Sequence, residues 1–300
     1  MNDWALQMRK RISRASLVWL IRLIWLFARL MPYRLGVLAG GWVGILAFYL
    51  LPKERNRALA HLSQVFGEKD RSWRQKTALN CFVHLGKSLL EVMLISPGRV
   101  SNIVALQGLE NLQKALEQGR GVVYVTGHIG NWELMAYAIA AKNVPVSVIA
   151  APLQPEQLND MTVELRAKFG VRTIIRSRPG ASRELIRVFK ENRALGILID
   201  QDTDVESTFV DFLGRPAWTP TAAVSMALKF GAPVMFGYSS RDSKDRYTVN
   251  IEGPLDLIRT DNTEQDIINN TAMLSKKLGD CILNNPEQWV WMHRRWRRQP

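Results

Sequence analysis

The stretch GVVYVTGHIGNWE, residues 121–133, determines how the rest of the chain is interpreted. Its apolar part, VVYVT at 122–126, predicts a short buried strand. Gly127 and Gly130 then permit a bend, and Asn131 stands where the N-cap of a helix is expected. A buried strand that leads directly into a helix is the repeating unit of a parallel sheet covered by helices.

The same alternation of strand and helix continues on both sides of this stretch. Continuous runs of Val and Ile are joined by helical segments of about 10–14 residues, which indicates an α/β fold, a mostly parallel central sheet with helices on both faces. The predicted strands are 121–126, 145–150, 171–175, 195–199, 233–238 and 247–251. The predicted helices are 55–66, 72–95, 109–117, 132–142, 156–169, 181–191, 220–230 and 263–283. For the helix 220–230, Thr219 is the expected N-cap and Gly231 follows its end.

The N-terminal part of the chain differs in composition from the rest. From Leu17 to Leu51 it is almost wholly apolar. A helix over residues 17–31 would be about 22 Å long, shorter than a hydrocarbon core of about 30 Å, so the segment either lies in a membrane surface or continues across it. We predict that residues 1–52 are a membrane anchor of hydrophobic and amphipathic helices, and that 53–300 form the main domain. A buried helical hairpin of a soluble protein is the alternative. Small residues recur every four positions as a stripe for close helix packing: Gly36, Gly40 and Gly44.

The basic residues are concentrated at the two ends of the chain. The net charge is +13, residues 1–57 hold ten Lys and Arg against two acidic residues, and four arginines follow Glu287 without an acid. Such ends suggest an anionic partner, either lipid headgroups or nucleic acid. Because the charge flanks the apolar segment and no nucleic-acid reading motif is present, we expect an anionic membrane surface and no nucleic acid.

Other features of composition limit the possible sites. Cys81 and Cys281 are the only cysteines, and none of the four histidines has a ligand-spaced His or Cys neighbour, so neither a disulfide framework nor a structural metal site is expected. Near the C-terminus, tryptophans accompany arginines, which is typical of a membrane headgroup boundary. Tryptophans that close the core are the equal alternative, and the residues concerned are Trp289, Trp291 and Trp296.

Polar residues at predicted strand ends are the candidates for chemistry, because ligands of parallel sheets bind there. His128 follows the strand 121–126 directly, and Glu133 falls in the first turn of the next helix. A carboxylate bonded to one imidazole nitrogen would fix the tautomer and leave the other nitrogen to take a proton from a hydroxyl. The pair therefore fits a general base that activates an alcohol. Helix capping by the loop and a satisfied core histidine are the alternative.

Two further sets of polar residues lie at strand ends. Asp200, Gln201 and Asp202 follow the strand 195–199, where they could position a donor, cap a turn or, less expectedly, bind a metal. A basic set suits phosphate or carboxylate groups, with solvated helix faces as the alternative. Its members are Arg166, Arg172, Arg176, Arg178 and Arg183.

Several common catalytic motifs are missing from the sequence. There is no Gly-x-Ser-x-Gly elbow, no Walker loop, no dinucleotide-binding Gly-x-Gly-x-x-Gly after a strand and no nucleophilic cysteine near a histidine. A covalent acyl-enzyme and a nucleotide cofactor are therefore disfavoured.

These residues resemble a known family. HIGNWE at 128–133 is similar to the His-x₄-Asp/Glu block of the lysophospholipid acyltransferase superfamily, in the Glu-bearing form of the lipid A lauroyl/myristoyl acyltransferases. The resemblance covers nearly the whole chain, because further blocks match in the same order. These blocks are the apolar N-terminal anchor, PYRLG at 32–36, DQD at 200–202, FVDFLGRPAWT at 209–219 and PEQWVWMHRRW at 286–296.

The resemblance implies a membrane-associated O-acyltransferase. It would move a fatty acyl chain from a thioester of acyl carrier protein, or of coenzyme A, to a hydroxyl of a lipid A precursor in lipopolysaccharide biosynthesis. His128 would be the general base and Glu133 its orienting partner. Arg166 would contact the substrate or stabilise charge, and Asp200 and Gln201 would shape the acceptor pocket.

The remaining implications concern the loop, the cofactors and the location. Gly130 and Asn131 would also contact the substrate, and the thioester is a co-substrate, so that no cofactor or metal is expected. Residues 53–300 would be the acyltransferase domain, on the cytoplasmic face of the bacterial inner membrane. His61 and Gly67 stand where the family usually has Asn and Pro, which blurs the identity of the acceptor. Another glycolipid or a lysophospholipid is the alternative acceptor, and a non-catalytic protein that binds membrane surfaces is the second alternative.

Overall fold

The strand predicted from VVYVT lies in the middle of the main sheet. The computed structural model describes residues 31–300, and the predictions for residues before Met31 lie outside the described part. All five residues of strand β2 (Val122–Thr126) are buried. Val123 and Val125 enter the hydrophobic core on one face of the sheet, whereas Val122 and Tyr124 enter the core on the other. Burial on both faces is the reason why the strand is continuously apolar.

The structure confirms the predicted α/β class. The strands other than β2 are β1 (Val104–Gln107), β3 (Val146–Ala150), β4 (Arg172–Ile175), β5 (Ala194–Leu198), β6 (Ser207–Phe212), β7 (Arg215–Pro220), β8 (Val234–Arg241) and β9 (Tyr247–Leu255). Within the described residues, seven strands form the main sheet in the order β1-β9-β8-β2-β5-β3-β4, and two form a separate hairpin. Every neighbouring pair in the main sheet is parallel except β8 and β9.

Ten α-helices occur within residues 31–300, most of them in the predicted places. They are α1 (Tyr33–Leu50), α2 (Pro52–Val65), α3 (Arg71–Leu94), α4 (Pro97–Ile103), α5 (Leu109–Leu116), α6 (Trp132–Ala140), α7 (Gln157–Lys168), α8 (Ala181–Lys190), α9 (Ala222–Phe230) and α10 (Thr263–Asn284). A short 3₁₀ helix follows at Pro286–Gln288.

Strand β1, helix α4 and the β6–β7 hairpin were not predicted, and the hairpin displaces one predicted helix start. Thr219 and Pro220 belong to strand β7, where Pro220 lies opposite Ser207, so the prediction that Thr219 caps a helix is wrong. Helix α9 begins two residues after Pro220. Gly231 follows the helix in the left-handed conformation, with φ of 62°, as predicted.

Helix α1 packs on α3 through its glycine stripe and leaves its other side exposed. A Cβ added at Gly40 would lie 2.5 Å from the carbonyl oxygen of Gly86, so a larger residue would separate the two helices. Helix α1 is long and apolar enough to cross a membrane, with a mean hydropathy of 1.4. We call its exposed apolar side chains the α1 strip: Leu35, Leu38, Trp42, Val43, Leu46, Tyr49 and Leu50.

The C-terminal tryptophans lie in the protein interior. Trp289 and Trp291 are fully buried, and Trp296 is 8% exposed. The expectation that these rings lie at a headgroup boundary is therefore wrong, and the alternative, in which they close the core, is confirmed. The 3₁₀ helix packs against α3. The segment that follows it lies against the loop that carries His128, where Ile129 and Trp289 form an antiparallel β-bridge.

Candidate active site

Two neighbouring strands of the sheet bring a histidine and an aspartate together. In the register of β2 and β5, Thr126 lies opposite Leu198. His128 and Asp200 each follow two residues later, at the carboxyl ends of these parallel strands. Since this edge is where parallel sheets bind their ligands, the pair lies where chemistry is expected.

The Asp200 carboxylate is bound from three directions. Its Oδ1 lies 2.7 Å from His128 Nδ1. Its Oδ2 accepts hydrogen bonds from the backbone N–H of His128 and from Trp289 Nε1, both at 2.7 Å. A proton on Nδ1 that is donated to Asp200 leaves the lone pair of the imidazole on Nε2. The geometry therefore presents Nε2 as a base.

The charge of Asp200 is stabilised by its neighbours. Burial by itself raises the pKa of the carboxyl group, but the attraction of His128 and the hydrogen bonds of His128 and Trp289 lower it more. The net pKa lies well below its usual value, so the group is a carboxylate throughout the physiological range. An ionised partner favours the imidazolium that forms when Nε2 takes a proton.

Glu133 does not bind His128, contrary to the prediction. Its carboxylate accepts hydrogen bonds from Arg166, from Nη2 at 2.5 Å and from Nε at 2.9 Å. Glu133 lies in the first turn of α6 and Arg166 near the end of α7, so the two helices supply a two-pronged ion pair. The carboxylate that binds the imidazole is that of Asp200, which the sequence analysis assigns to the acceptor pocket.

The structure brings some of the other predicted residues to His128 and separates the rest. Gln201 Nε2 lies 3.2 Å from His128 Nε2. The polar groups of the loop residues Gly130 and Asn131 bind the protein: the Gly130 carbonyl accepts a hydrogen bond from His84 Nε2 at 3.0 Å, and the Asn131 side chain caps α6. Their polar groups already bind protein atoms, Asn131 also lines a second pocket between α3, α6 and α7, and contact of these two residues with substrate stays a prediction.

His293 is a site residue that sequence reasoning missed. Its ring centroid lies 4.9 Å from that of His128, and its Nε2 lies 3.0 Å from Gln201 Nε2. Burial, followed by repulsion from His128, lowers the pKa of His293 to about 3, so the ring is neutral. His293 does lie in the family-like block at 286–296. Nothing in its spacing from other histidines, cysteines or acidic residues indicated a metal ligand or a general base.

An apolar cavity of about 460 Å³ opens beside His128. Strand side chains form one wall, including Val146 and Val148 of β3, and Gly196 of β5 lies opposite Val148. Met135 and Ile139 of helix α6 form another wall. The polar side chains at the cavity include His128, Glu133, Arg166, Arg176 and Gln201. A base at the polar end of an apolar cavity suits a substrate with a hydrocarbon chain and a reactive head.

The predicted basic set is divided between ion pairs and the cavity. Arg172 pairs with Glu191 at 2.7 Å, and Arg178 lies 3.6 Å from Asp160. Arg176 lines the cavity. Within residues 31–300 no group of three or more His, Cys, Asp or Glu side chains is placed to hold a metal ion.

Comparison with known proteins identifies the family. A family model, that of the bacterial lipid A biosynthesis acyltransferases, matches residues 5–298. The chain belongs to this family. The acyltransferase resemblance noted in the sequence is thereby confirmed over nearly the whole chain, and the protein is an enzyme that transfers acyl groups.

The sequences of individual relatives are distant from this one, but they align with most of its length. This chain is 24% identical to the lipid A biosynthesis palmitoleoyltransferase of Escherichia coli, over 96% of this chain and 93% of the relative. It is also 24% identical to the lauroyltransferase of the same organism, over the same shares. A phosphatidylinositol mannoside acyltransferase of Mycolicibacterium smegmatis is 23% identical over 74% of this chain and 71% of its own. These relatives support acyl transfer to a glycolipid.

A first prediction tests the ion pair of the acyltransferase. Replacing Glu133 with Gln, or Arg166 with Gln, should each lower the free energy of unfolding by about 1.5–3 kcal/mol, because each change removes hydrogen bonds between charged groups. The double variant should lose clearly less than the sum, since the second change breaks nothing further. Urea unfolding of the four proteins measures this coupling. Additive losses would show that the two side chains act separately.

Proposed function

We propose that this protein transfers a fatty acyl chain from a thioester to a hydroxyl of a lipid A precursor, with His128 as general base and no covalent acyl-enzyme. The observation that carries the proposal is the imidazole of His128, which is held by a buried carboxylate and presents Nε2 to an apolar cavity. Such a cavity suits an acyl chain, and the base lies where the reacting head of that chain would be.

In the proposed reaction, Nε2 of His128 accepts the proton of the acceptor hydroxyl as its oxygen attacks the thioester carbon. The carbon–sulfur bond then breaks, and the departing thiolate takes the proton back from the imidazolium. The products are the ester and a free thiol, so the enzyme returns to its starting state. Gln201 donates a hydrogen bond to Nε2 and must give up this position when the hydroxyl binds.

The tetrahedral oxyanion needs hydrogen-bond donors. Backbone N–H groups of the glycine-bearing loop are poor candidates, because those of His128, Gly130 and Asn131 already donate to Asp200, Gln288 and Ser239. Arg166 binds Glu133 through Nε and Nη2, which leaves Nη1 for another partner at the cavity. We therefore assign the oxyanion to Arg166, assisted by the amide of Gln201.

The donor and the location follow from charge and hydropathy. Arg176 at the cavity, with Arg178 and Arg183 nearby in the chain, suits an acidic acyl carrier protein, and acyl-coenzyme A is the alternative donor. The α1 strip and the basic N-terminal segment support attachment to an anionic membrane, on the cytoplasmic face of the inner membrane. Residues 1–52 would form this anchor and 53–300 the acyltransferase domain.

One experiment separates the candidate acceptors. The purified protein is incubated with acyl carrier protein or coenzyme A thioesters and with a lipid A precursor, a phosphatidylinositol mannoside or a lysophospholipid, and the products are identified by mass spectrometry. We expect acylation of the lipid A precursor. The similarity to a mannoside acyltransferase makes another glycolipid the second candidate. Transfer only to an acceptor other than the lipid A precursor would refute the proposed acceptor.

A second prediction concerns the length of the acyl chain. Gly196 lines the cavity, and a Cβ added there would lie 3.2 Å from Val148 Cγ1. Gly196→Val should therefore fill part of the cavity and lower kcat/KM for the longest accepted chain by about tenfold or more. The reason is that each methylene group that loses its contacts with an apolar pocket lowers kcat/KM by about this factor. Shorter chains should be affected less. A thioester series from decanoyl to palmitoyl measures the preference.

Two controls accompany this substitution. Gly196→Ala is the milder change and should shift the preference in the same direction. Gly98→Ala adds a methyl group where no atom lies within 4 Å, and should leave the preference unchanged. An unaltered chain-length preference in Gly196→Val would mean that the acyl chain does not reach this part of the cavity.

A further inference from the structure

A second apolar pocket, of about 300 Å³, lies between helices α3, α6 and α7. We call it the α3 pocket. Leu85, Leu89 and Val92 of α3 form one wall, and Trp132 and Leu165 close the other side. Neither the proton transfer nor the donor chain described above uses this space.

The α3 pocket shares a wall with the apolar cavity beside His128, which we call the main cavity. Trp132, Glu133, Thr162 and Arg166 line both. The Glu133–Arg166 ion pair therefore separates two apolar compartments, one that contains His128 and one that does not. A charged pair that has apolar space on both sides can bind a polar head group from either space. This arrangement therefore suits two amphiphilic substrates that react with each other at one centre.

The α3 pocket also lies beside the surface that is suited to a membrane. Leu89 is 57% exposed at its edge. Two other residues of α3 on either side of Leu89 in the chain, Gly86 and Leu94, approach helix α1 at its glycine stripe. The pocket wall is therefore part of the same helix that supports the α1 strip, and an apolar chain could pass from one to the other with little contact with water.

We propose that the α3 pocket holds a hydrocarbon chain of the lipid acceptor while the main cavity holds the acyl chain of the donor. This inference rests on the proposed acyl transfer and deepens it, because a reaction between two amphiphiles has two chains to accommodate at once. The acceptor enters from the membrane along α1 and α3, and its hydroxyl reaches His128 past Trp132 and Arg166. The partition keeps the two chains from competing for one cavity.

Kinetics of a filled pocket test the assignment. Leu89→Trp should raise KM for the lipid acceptor by about tenfold. This factor corresponds to about two methylene groups of its hydrocarbon chain that stay exposed to water. The kcat and the KM for the donor should stay within twofold. Leu283→Trp is the matched control, since Leu283 is also a half-exposed leucine, on α10, and lines neither pocket. A raised donor KM with an unchanged acceptor KM in Leu89→Trp would overturn the proposal.

A binding measurement tests the pocket without turnover. The full chain is saturated with a non-hydrolysable acyl thioether, which occupies the main cavity, and is then photolabelled with an alkyl maltoside that carries a diazirine at its chain end. We expect labelling within residues 85–92 that Leu89→Trp abolishes and Leu283→Trp retains. Labelling that occurs only in a parallel sample without the thioether, and only in peptides of the main cavity, would overturn the proposal. Because no acyl transfer is read, an enzyme inactive toward all thioesters would refute the proposed function without affecting this result.

Discussion

Replacing His128 with alanine should lower kcat for acyl transfer by about 10²–10⁴-fold, the usual contribution of a positioned general base. The imidazole is the group whose Nε2 faces the cavity, and the change removes the proton acceptor without replacing it. KM for either substrate should change little, because the cavity walls are unaltered. The rate of product formation from an acyl thioester, measured by mass spectrometry of the product, gives the effect. The variant is compared only if it keeps the thermal unfolding temperature of the unchanged protein.

A second histidine provides the control for this experiment. His61 is buried away from the cavity, with Nδ1 at 2.8 Å from the carbonyl oxygen of Trp291. Asparagine, which the family usually has at this position, can make a similar hydrogen bond, so His61→Asn should retain nearly full activity. Full activity in purified His128→Ala would end the general-base proposal.

The fold could be predicted where burial leaves a continuous signal in the sequence. Strand β2 is apolar at every position because it contacts a core on both faces, and its limits were predicted to within one residue. The β6–β7 hairpin carries no such signal. Its strands contain Pro216 and Pro220, and its turn places Leu213 as well as Gly214 at positive φ, so the usual Asn-Gly cue is missing.

The site was only half predictable, because its two members are distant in the chain. His128 and Asp200 are 72 residues apart and meet only because β2 and β5 are neighbours in the sheet. The hydrophobic pattern of a sequence does not show the order of the strands in a sheet. The sequence therefore favoured Glu133, which is closer to His128 in the chain, as the partner of the imidazole. The rule that strand ends converge had already placed both Asp200 and His128 at this edge. The length of the loop alone could not decide between the two acids.

The two carboxylates of the site differ in what surrounds them. Asp200 is fully buried and receives hydrogen bonds from an imidazole, an indole and a backbone amide. Glu133 is partly exposed at the cavity and faces a guanidinium. A buried carboxylate that is fixed on three sides has a single orientation and can determine the tautomer of a base. A partly exposed carboxylate that binds a guanidinium through two hydrogen bonds is better suited to hold that arginine at the cavity.

Replacing Asp200 with asparagine should lower kcat by about 10²–10⁴-fold while KM changes little. The amide keeps the size of the side chain but loses the negative charge. Whichever way it is turned, it cannot accept from His128 Nδ1, the backbone N–H of His128 and Trp289 Nε1 as the carboxylate does. The imidazole then loses both the group that fixes its tautomer and the charge that stabilises the imidazolium. Steady-state kinetics with a saturating donor measures the loss.

A neighbouring aspartate distinguishes a catalytic effect from a structural one. The side chain of Asp202 is also buried, and it pairs with Arg297 at 3.1 Å and Arg298 at 3.0 Å instead of with the imidazole. Asp202→Asn should therefore lower the unfolding temperature and leave kcat within a few fold, whereas Asp200→Asn should lower kcat far more than stability explains. If Asp200→Asn kept its kcat while Glu133→Gln lost it, Glu133 would be the orienting carboxylate instead of Asp200.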